Sequence, residues 1–299
     1  MVVLRMVDPD DAPLLADLAQ ACGLDGWIDA RAVTRFLLAD PTSPPEMRLL
    51  AVCDGTPCGF AGASLREGQA VVQLFGVIPQ HRREGIAARL LTELEGRARD
   101  RGMTSMQVTG VPGGYFFPGV PIDATPAICL LEKRGYRTDR NCRVDMDVDL
   151  MAADLDTSAQ VESLAGQGVQ VRRATRPEID AVARFAEQHF SRAWGMEVQG
   201  AVAADADELP LFAAWHQGEV VSFAVYDTLG HARFGPTGTR PDVRQRGIGT
   251  ILLKLCLASM RSRGDAHAQI IWVGPIGFYA RAVNARIHRA YWSYGKELA

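Results

Sequence analysis

Between Phe234 and Leu253 the chain reads FGPTGTRPDVRQRGIGTILL, and this stretch carries the residue types best suited to holding a charged ligand. Arg244, Gln245 and Arg246 lead into Gly247, Ile248, Gly249 and Thr250. The two glycines let the backbone approach a ligand with no Cβ in the way. An apolar helical pattern starts directly after them. The unpaired N–H groups of a helix start, and the positive end of its dipole, should therefore face the loop. Together these features make a seat for a pyrophosphate. Arg240, Arg244 and Arg246 add planar, permanently charged donors suited to phosphate. A single loop of this kind is most often a turn feeding a surface helix.

The pattern occurs twice. Residues 76–91 read GVIPQHRREGIAARLL and residues 238–253 read GTRPDVRQRGIGTILL. Gly76, Pro79, Arg82, Gly85, Ile86, Leu90 and Leu91 match Gly238, Pro241, Arg244, Gly247, Ile248, Leu252 and Leu253 at a constant offset, without a gap. Such self-similarity implies a duplicated unit. In the first copy the loop runs through Arg82, Arg83, Glu84, Gly85, Ile86 and Ala87.

Each loop needs a strand to deliver it and a helix to follow it. Ala70 to Ile78 and His231 to Gly238 have strand character, and Ile86, Leu90, Leu94 and Ile248, Ile251, Leu252, Leu255 lie at helical spacing. Upstream, each copy begins with a short apolar strand (Val2 to Met6; Val169 to Arg173) and a helix announced by acidic residues and proline. Two strands follow around the turns Asp54-Gly55 and Gln217-Gly218. Downstream we expect a strand, a short helix (Pro126 to Arg134; Ile276 to Ala282) and closing strands over Tyr136 to Leu150 and Arg286 to Tyr294. Pro112 to Pro121, PGGYFFPGVP, reads as a structured loop: either a packed lid or a wall of a cleft. Composition places a linker at 151–168, between a domain over 1–150 and another over 169–299.

The pattern V/T-x-P-x-x-R-x-x-G-x-G/A between strand and helix resembles the acyl-CoA-binding motif of the GCN5-related N-acetyltransferases, the GNAT family. It is met in both halves, so the chain resembles a tandem GNAT protein. The resemblance implies an α/β fold of two domains, each a mixed, mostly antiparallel sheet flanked by helices. It implies acetyl-CoA as cofactor and direct transfer of the acetyl group to a primary amine in a ternary complex. It further implies that the strand before each loop grips pantetheine and polarises the thioester carbonyl, at Gly238, Thr239 and Arg240 and at Gly76, Val77 and Ile78. The family often sets a tyrosine near the sulfur as general acid. Tyr279, in GFYARA, matches that place, although Val283 stands where a glycine is usual; the first half has Leu131 there. Tyr115 is a possible hydroxyl for the first half.

For a base, His231 has a suitable intrinsic pKa and precedes the second loop. Asp227, Glu219 and Asp123 are further candidates, and Gln73 stands where a strand carboxylate could have been. The more complete loop and Tyr279 favour the C-terminal half as catalytic. The alternatives are catalysis in the N-terminal half and a non-catalytic acyl-CoA-binding or regulatory protein.

Composition sets limits on partners. Across 299 residues the formal net charge is −3, which argues against nucleic acid or a membrane surface as partner. No apolar run approaches the length of a membrane span, and Met1 to Asp11 has no signal-peptide pattern, so we expect a soluble cytoplasmic protein. Six scattered cysteines form no C-x-x-C pair and stand at no zinc spacing with histidine, so no metal is expected. The acceptor is a small-molecule amine or a peptide N-terminus, and the sequence carries no code that chooses between them.

Overall fold

The computed structural model describes residues 1–24, 27–111, 113–203 and 208–298. Pro112, the first residue of the loop expected over Pro112 to Pro121, lies outside them. In the first half β1 (Val2–Met6) precedes α1 (Ala12–Ala21) and α2 (Ala30–Val33), the latter prolonged by a wide turn at Thr34–Leu38. Then come β2 (Arg48–Cys53), β3 (Thr56–Arg66), β4 (Gln69–Val77), α3 (Ile86–Asp100), β5 (Ser105–Val108), β6 (Val120–Pro121), α4 (Thr125–Lys133) and β7 (Arg143–Asp149). The second half adds α5 (Ser158–Gly166), β8 (Val169–Arg173), α6 (Ile179–His189) and α7 (Arg192–Gln199). It continues through β9 (Leu211–His216), β10 (Glu219–Tyr226), β11 (Arg233–Thr239), α8 (Ile248–Ser262), β12 (His267–Val273) and α9 (Ile276–Val283), and ends with β13 (Arg286–Trp292) and β14 (Tyr294–Glu297). The stretch read as a linker thus holds a helix, α5. The closing strand expected over Arg286 to Tyr294 is divided in two, with Ser293 between β13 and β14.

By contacts the chain forms two units: Met1–Arg143 with Ala290–Ala299, and Val144–Arg289. In the first unit the strand order is β1-β2-β3-β4-β5-β14. In the second, the run β7-β12-β11-β10-β9-β8 repeats that order in mirror listing. Along these two six-strand runs the pairings are antiparallel except at β4·β5 and β11·β12, where a helix provides the crossover that a parallel pair needs. The strand that follows each parallel pair in the sheet comes from far along the chain: β14, from the C-terminus, pairs with β5, and β7 pairs with β12.

In the first unit α3 covers one sheet face with Ile86, Leu90, Leu91, Leu94 and Ala98, against Met47, Leu49, Ala61, Ala63 and Val72. The other face is covered by the early helices: Leu37 presses so closely on Gly62 that an added Cβ would lie 2.7 Å from its Cδ1. In the second unit α6 and α7 pack Val182, Phe185, Ala186 and Val198 on Leu211, Ala213, Phe223 and Val225. At a transfer value of about 25 cal/mol per Å² of apolar surface, it is such buried faces that hold each sheet flat against its helices.

Candidate active site

In both units the strand that delivers the loop is paired on one side only over its last residues. β4 pairs with β5 from Gln69 to Val72, and β11 pairs with β12 only at Arg233 and Phe234. Beyond these points the parallel strands diverge, and Leu74 to Val77 and Thr237 to Thr239 keep partners only on β3 and β10. The register slips at the divergence, between Gly62 and Ala63 on β3 and between Ala224 and Tyr226 on β10. The edges of Gly76 to Ile78 and of Gly238 to Arg240 that face the gap can therefore pair with a ligand bearing amides in extended form, as an added strand would. Pro236 has no N–H to offer there, whereas Leu74, at the matching place in the first half, has one.

The two loops adopt one conformation. Arg83 and Gly85 have φ of +70° and +81°, and Gln245 and Gly247 have +66° and +77°. The left-handed backbone at Gly85 and Gly247 is why glycine stands there, and an added Cβ would meet nothing within 4 Å. Successive turns of this kind aim N–H groups into a concavity at the starts of α3 and α8. Ile86 and Ala87 open the first helix, and Ile248, Gly249 and Thr250 the second.

The arginines do not all point to the ligand seat. Arg82 donates from Nε to the Val77 carbonyl at 3.0 Å, and Arg244 repeats this to the Thr239 carbonyl at 3.0 Å. Both staple the loop to the end of its strand. Arg240 is held by Asp242 at 2.7 Å. Among the described residues Arg83 and Arg246 have no protein partner. At the position of Arg246 the first loop has Glu84, which lies 3.2 Å from His81 Nδ1. The second loop is still the more positive: Arg246 stands in place of the Glu84 carboxylate, and this outweighs the replacement of Arg83 by Gln245.

Tyr279, on α9, packs against Phe234, the last residue of β11 to pair with β12; the ring centroids are 6.3 Å apart. Its neighbour Phe278 reaches toward Gly249 and so ties α9 to the first turn of α8. The phenol therefore stands at the divergence of the strands, and no protein group among the described residues binds its hydroxyl. Burial pushes its pKa up to about 12, so it remains a proton donor at neutral pH. Leu131, its counterpart, is buried in the first unit's core.

His231 is not brought to the loop. It precedes β11 at the end opposite Thr239, it is 69% exposed, and its Nε2 lies 2.7 Å from Asp265. At about 3.3 Å of rise per residue the strand holds it roughly 20 Å away. Asp227 binds Arg263 and accepts from the Ala232 N–H at 2.8 Å, which makes it a tie for the same remote turn. Glu219 and Asp123 are exposed; Glu219 opens β10 at the end where the Arg240 N–H donates to the Val221 carbonyl, outside the gap between β11 and β12, and Asp123 stands before α4. Tyr115 is buried among the aromatic residues of its loop.

One group escapes sequence reading. In the first unit Asp40 accepts from Gln73 Nε2 and Arg66 Nη2, each at 3.2 Å, and from Thr42 N and Oγ1 at 2.9 and 2.7 Å. Burial raises its pKa, but the bonds from Thr42 and the charge of Arg66 outweigh this, and it lies below the ordinary carboxylate value. Gln73 Oε1, Ser64 Oγ and Arg66 Nε are buried with no partner among the described residues. These orphans gather where β4 slips register, on the face covered by the early helices. The only hint in the sequence is Gln73; Asp40, 33 residues away, reads as the end of a helix. Gly235 occupies the place of Gln73 in the second half, and it offers no side chain.

A seat for pyrophosphate, a divergent strand edge for an amide-bearing arm and a phenol at its far end together suit transfer from a thioester. Comparison with known proteins accords with this. The model of the Acetyltransferase (GNAT) family matches residues 13–113 and again 179–284. No curated protein matches the chain. Among solved structures it is similar to a GCN5-related N-acetyltransferase from Sphaerobacter thermophilus, with 21% identity, a TM-score of 0.73, and coverage of 99% of this chain and 96% of the other. It is also similar to a tandem GNAT protein from the clavulanic acid biosynthesis pathway, with 15% identity, a TM-score of 0.74, and coverage of 100% and 99%. A third likeness is to the GCN5-related glucosamine N-acetyltransferase region of a fungal multi-domain GH3 beta-N-acetylglucosaminidase, with 18% identity and a TM-score of 0.79; it takes in 99% of this chain but only 38% of that protein. With most of its length matched by the family's model, twice over and in the order of its two units, the chain belongs to the GNAT acetyltransferase family and is an acyltransferase of tandem GNAT domains.

Proposed function

We propose that the protein transfers an acetyl group from acetyl-CoA to a primary amine by direct attack in a ternary complex, with the chemistry in the C-terminal half. The observation that carries this is Tyr279: a buried, protonated phenol without a protein partner, at the divergence of β11 and β12 and beside a loop made positive by Arg246. Acetyl-CoA supplies an activated thioester carbonyl. The loop 244–249 holds its phosphates by backbone N–H groups and Arg246. The free edge of β11 at Gly238 to Arg240 orients the pantetheine arm and donates to the carbonyl oxygen as charge develops on it. The neutral amine nitrogen forms the new C–N bond as the C–S bond breaks, Tyr279 gives its proton to the departing sulfur, and the proton shed by the nitrogen passes through water and restores the phenol. His231, roughly a strand length away, is not part of this scheme. The acceptor is a small-molecule amine or a peptide N-terminus, met in the cytoplasm. Among the described residues no helix is long and apolar enough to cross a membrane.

A second reading has its own support. The unpartnered oxygens of Gln73 and Ser64, beside the Asp40 carboxylate, suit an ammonium group at the first unit's divergent strands, which would put the acceptor, and catalysis, in the N-terminal half. One experiment separates the readings: turnover on an amine panel and acetyl-CoA affinity, measured for Tyr279→Phe and Asp40→Asn. We expect Tyr279→Phe to lower kcat by about 10²-fold with unchanged affinity for acetyl-CoA, the scale of a lost general acid. Unchanged turnover in Tyr279→Phe with loss in Asp40→Asn would transfer the active centre to the first unit. Cofactor binding without turnover on any amine would leave an acyl-CoA-binding protein.

A further inference from the structure

The loop of the first unit has a feature that the second lacks. His81 closes the 3-10 turn Pro79–His81, and Glu84 follows three residues later, directly before Gly85. Beside them ends the β2–β3 hairpin. Asp54 and Gly55, with φ of +47° and +84°, turn the chain there and hold Cys53 opposite Thr56. The Ile78 N–H donates to the Cys58 carbonyl at 3.0 Å and so fastens the hairpin to the start of the loop. As a result Cys53 Sγ, an imidazole nitrogen of His81 and a carboxylate oxygen of Glu84 all lie within 4.8 Å of one another.

We propose that Cys53, His81 and Glu84 form a binding site for a divalent zinc-class cation, which clamps the β2–β3 hairpin to the cofactor loop of the first unit. Three different donor atoms converge from two segments nearly thirty residues apart. Around a tetrahedral ion with bonds of about 2.0 to 2.3 Å, ligand atoms stand roughly 3.3 to 3.8 Å apart, so closure needs shifts of only about an ångström. The donor set selects the metal: a thiolate with an imidazole and one carboxylate suits zinc and its neighbours, whereas calcium and magnesium want oxygen alone. Cys53 is buried, His81 partly exposed and Glu84 exposed, so the ion enters from solvent and a fourth position stays open to water. Binding converts the Cys53 thiol to a thiolate and releases its proton to solvent, and the His81 imidazole binds as the neutral form. One consequence bears on the loop. Glu84 is the residue that makes this seat less positive than its counterpart, and coordination would cancel its charge.

The test uses the full, tag-free, reduced chain. Zinc is titrated by calorimetry, and cobalt(II) serves as the spectroscopic probe. We expect one ion per chain, and a cobalt complex with a thiolate-to-metal charge-transfer band in the near ultraviolet. Cys53→Ser should abolish that band, and His81→Ala, at a partly exposed position that should fold normally, should weaken zinc binding at least tenfold. Cys129→Ser, on the exposed face of α4, should change neither. Absence of the thiolate band in the parent chain, or its persistence in Cys53→Ser, would overturn the proposal. So would zinc affinity unchanged in His81→Ala.

Discussion

Glu84 and Arg246 occupy the same place in two loops of the same conformation, and the choice of side chain there, set against Arg83 in the first loop and Gln245 in the second, decides how each treats a phosphate. A guanidinium free of protein partners adds a charge-assisted bond to the N–H groups of the helix start; a carboxylate subtracts from them. Arg82 and Arg244 cannot make the difference, since both are spent on the strand carbonyls of Val77 and Thr239. We therefore expect Arg246→Glu to weaken acetyl-CoA binding roughly tenfold or more, a scale set by about 1.5 to 3 kcal/mol for a hydrogen bond to a charged group. Glu84→Arg should strengthen binding at the first loop. Calorimetric titration of each variant, read for affinity and stoichiometry, checks both. An Arg246→Glu affinity equal to that of the parent would remove this residue from the phosphate seat.

Among the elements, α3 must be anchored firmly for its first turn to hold a position, and Glu95 supplies the anchor. Buried on the sheet side, it accepts from Tyr136 Oη at 3.0 Å and pairs with Arg134 at 3.0 Å and Lys296 at 3.1 Å. Burial alone would raise its pKa; the bonds from Arg134, Lys296 and Tyr136 outweigh burial and leave it below the ordinary value. The sign follows. A carboxyl whose folded pKa is depressed contributes its stability above the unfolded value of about 4.3, and loses it as pH falls through the folded pKa. Glu95→Ala should cost on the order of 2–3 kcal/mol at neutral pH, below the usual figure for a broken buried pair because Arg134 and Lys296 reach solvent. The difference between parent and variant should shrink below about pH 4. Denaturant melts at pH 7 and at acid pH measure both. Equal destabilisation at the two pH values would mean that Glu95 acts by packing and not by charge.

For the whole molecule, the decisive feature is the path of the chain. The last strand, β14, completes the sheet of the first unit through Tyr294, Gly295, Lys296 and Glu297, paired with Val108 to Ser105. Lys296 also carries the bond to Glu95. Deletion of residues 290–299 should therefore damage the first unit, although it trims the sequence of the second half. Hydrogen exchange in β4 and β5 should rise by more than tenfold while β9 and β10 keep their protection, because an exposed β5 edge loses its ladder partners. Faster exchange confined to the second unit would contradict this account.

Much could be read from the residues alone. The constant offset between the two R-x-x-G motifs gave away the duplication, the family and the place of both loops, because a turn with left-handed glycines before a helix is a local property. That Tyr279 lies on a short helix after the second loop was legible for the same reason, since its motif is short and continuous. Folding decided what depends on residues far apart. Position near the second loop in sequence suggested His231 as a base, yet an extended strand carries it to the opposite end of β11. Asp40 meets Gln73, Cys53 meets His81 and Glu84, and β14 joins β5, each by strand register and closure of a sheet. No spacing in the chain encodes such meetings, because the distance between two side chains in a sheet is set by which strands pair, and that is a property of the whole core.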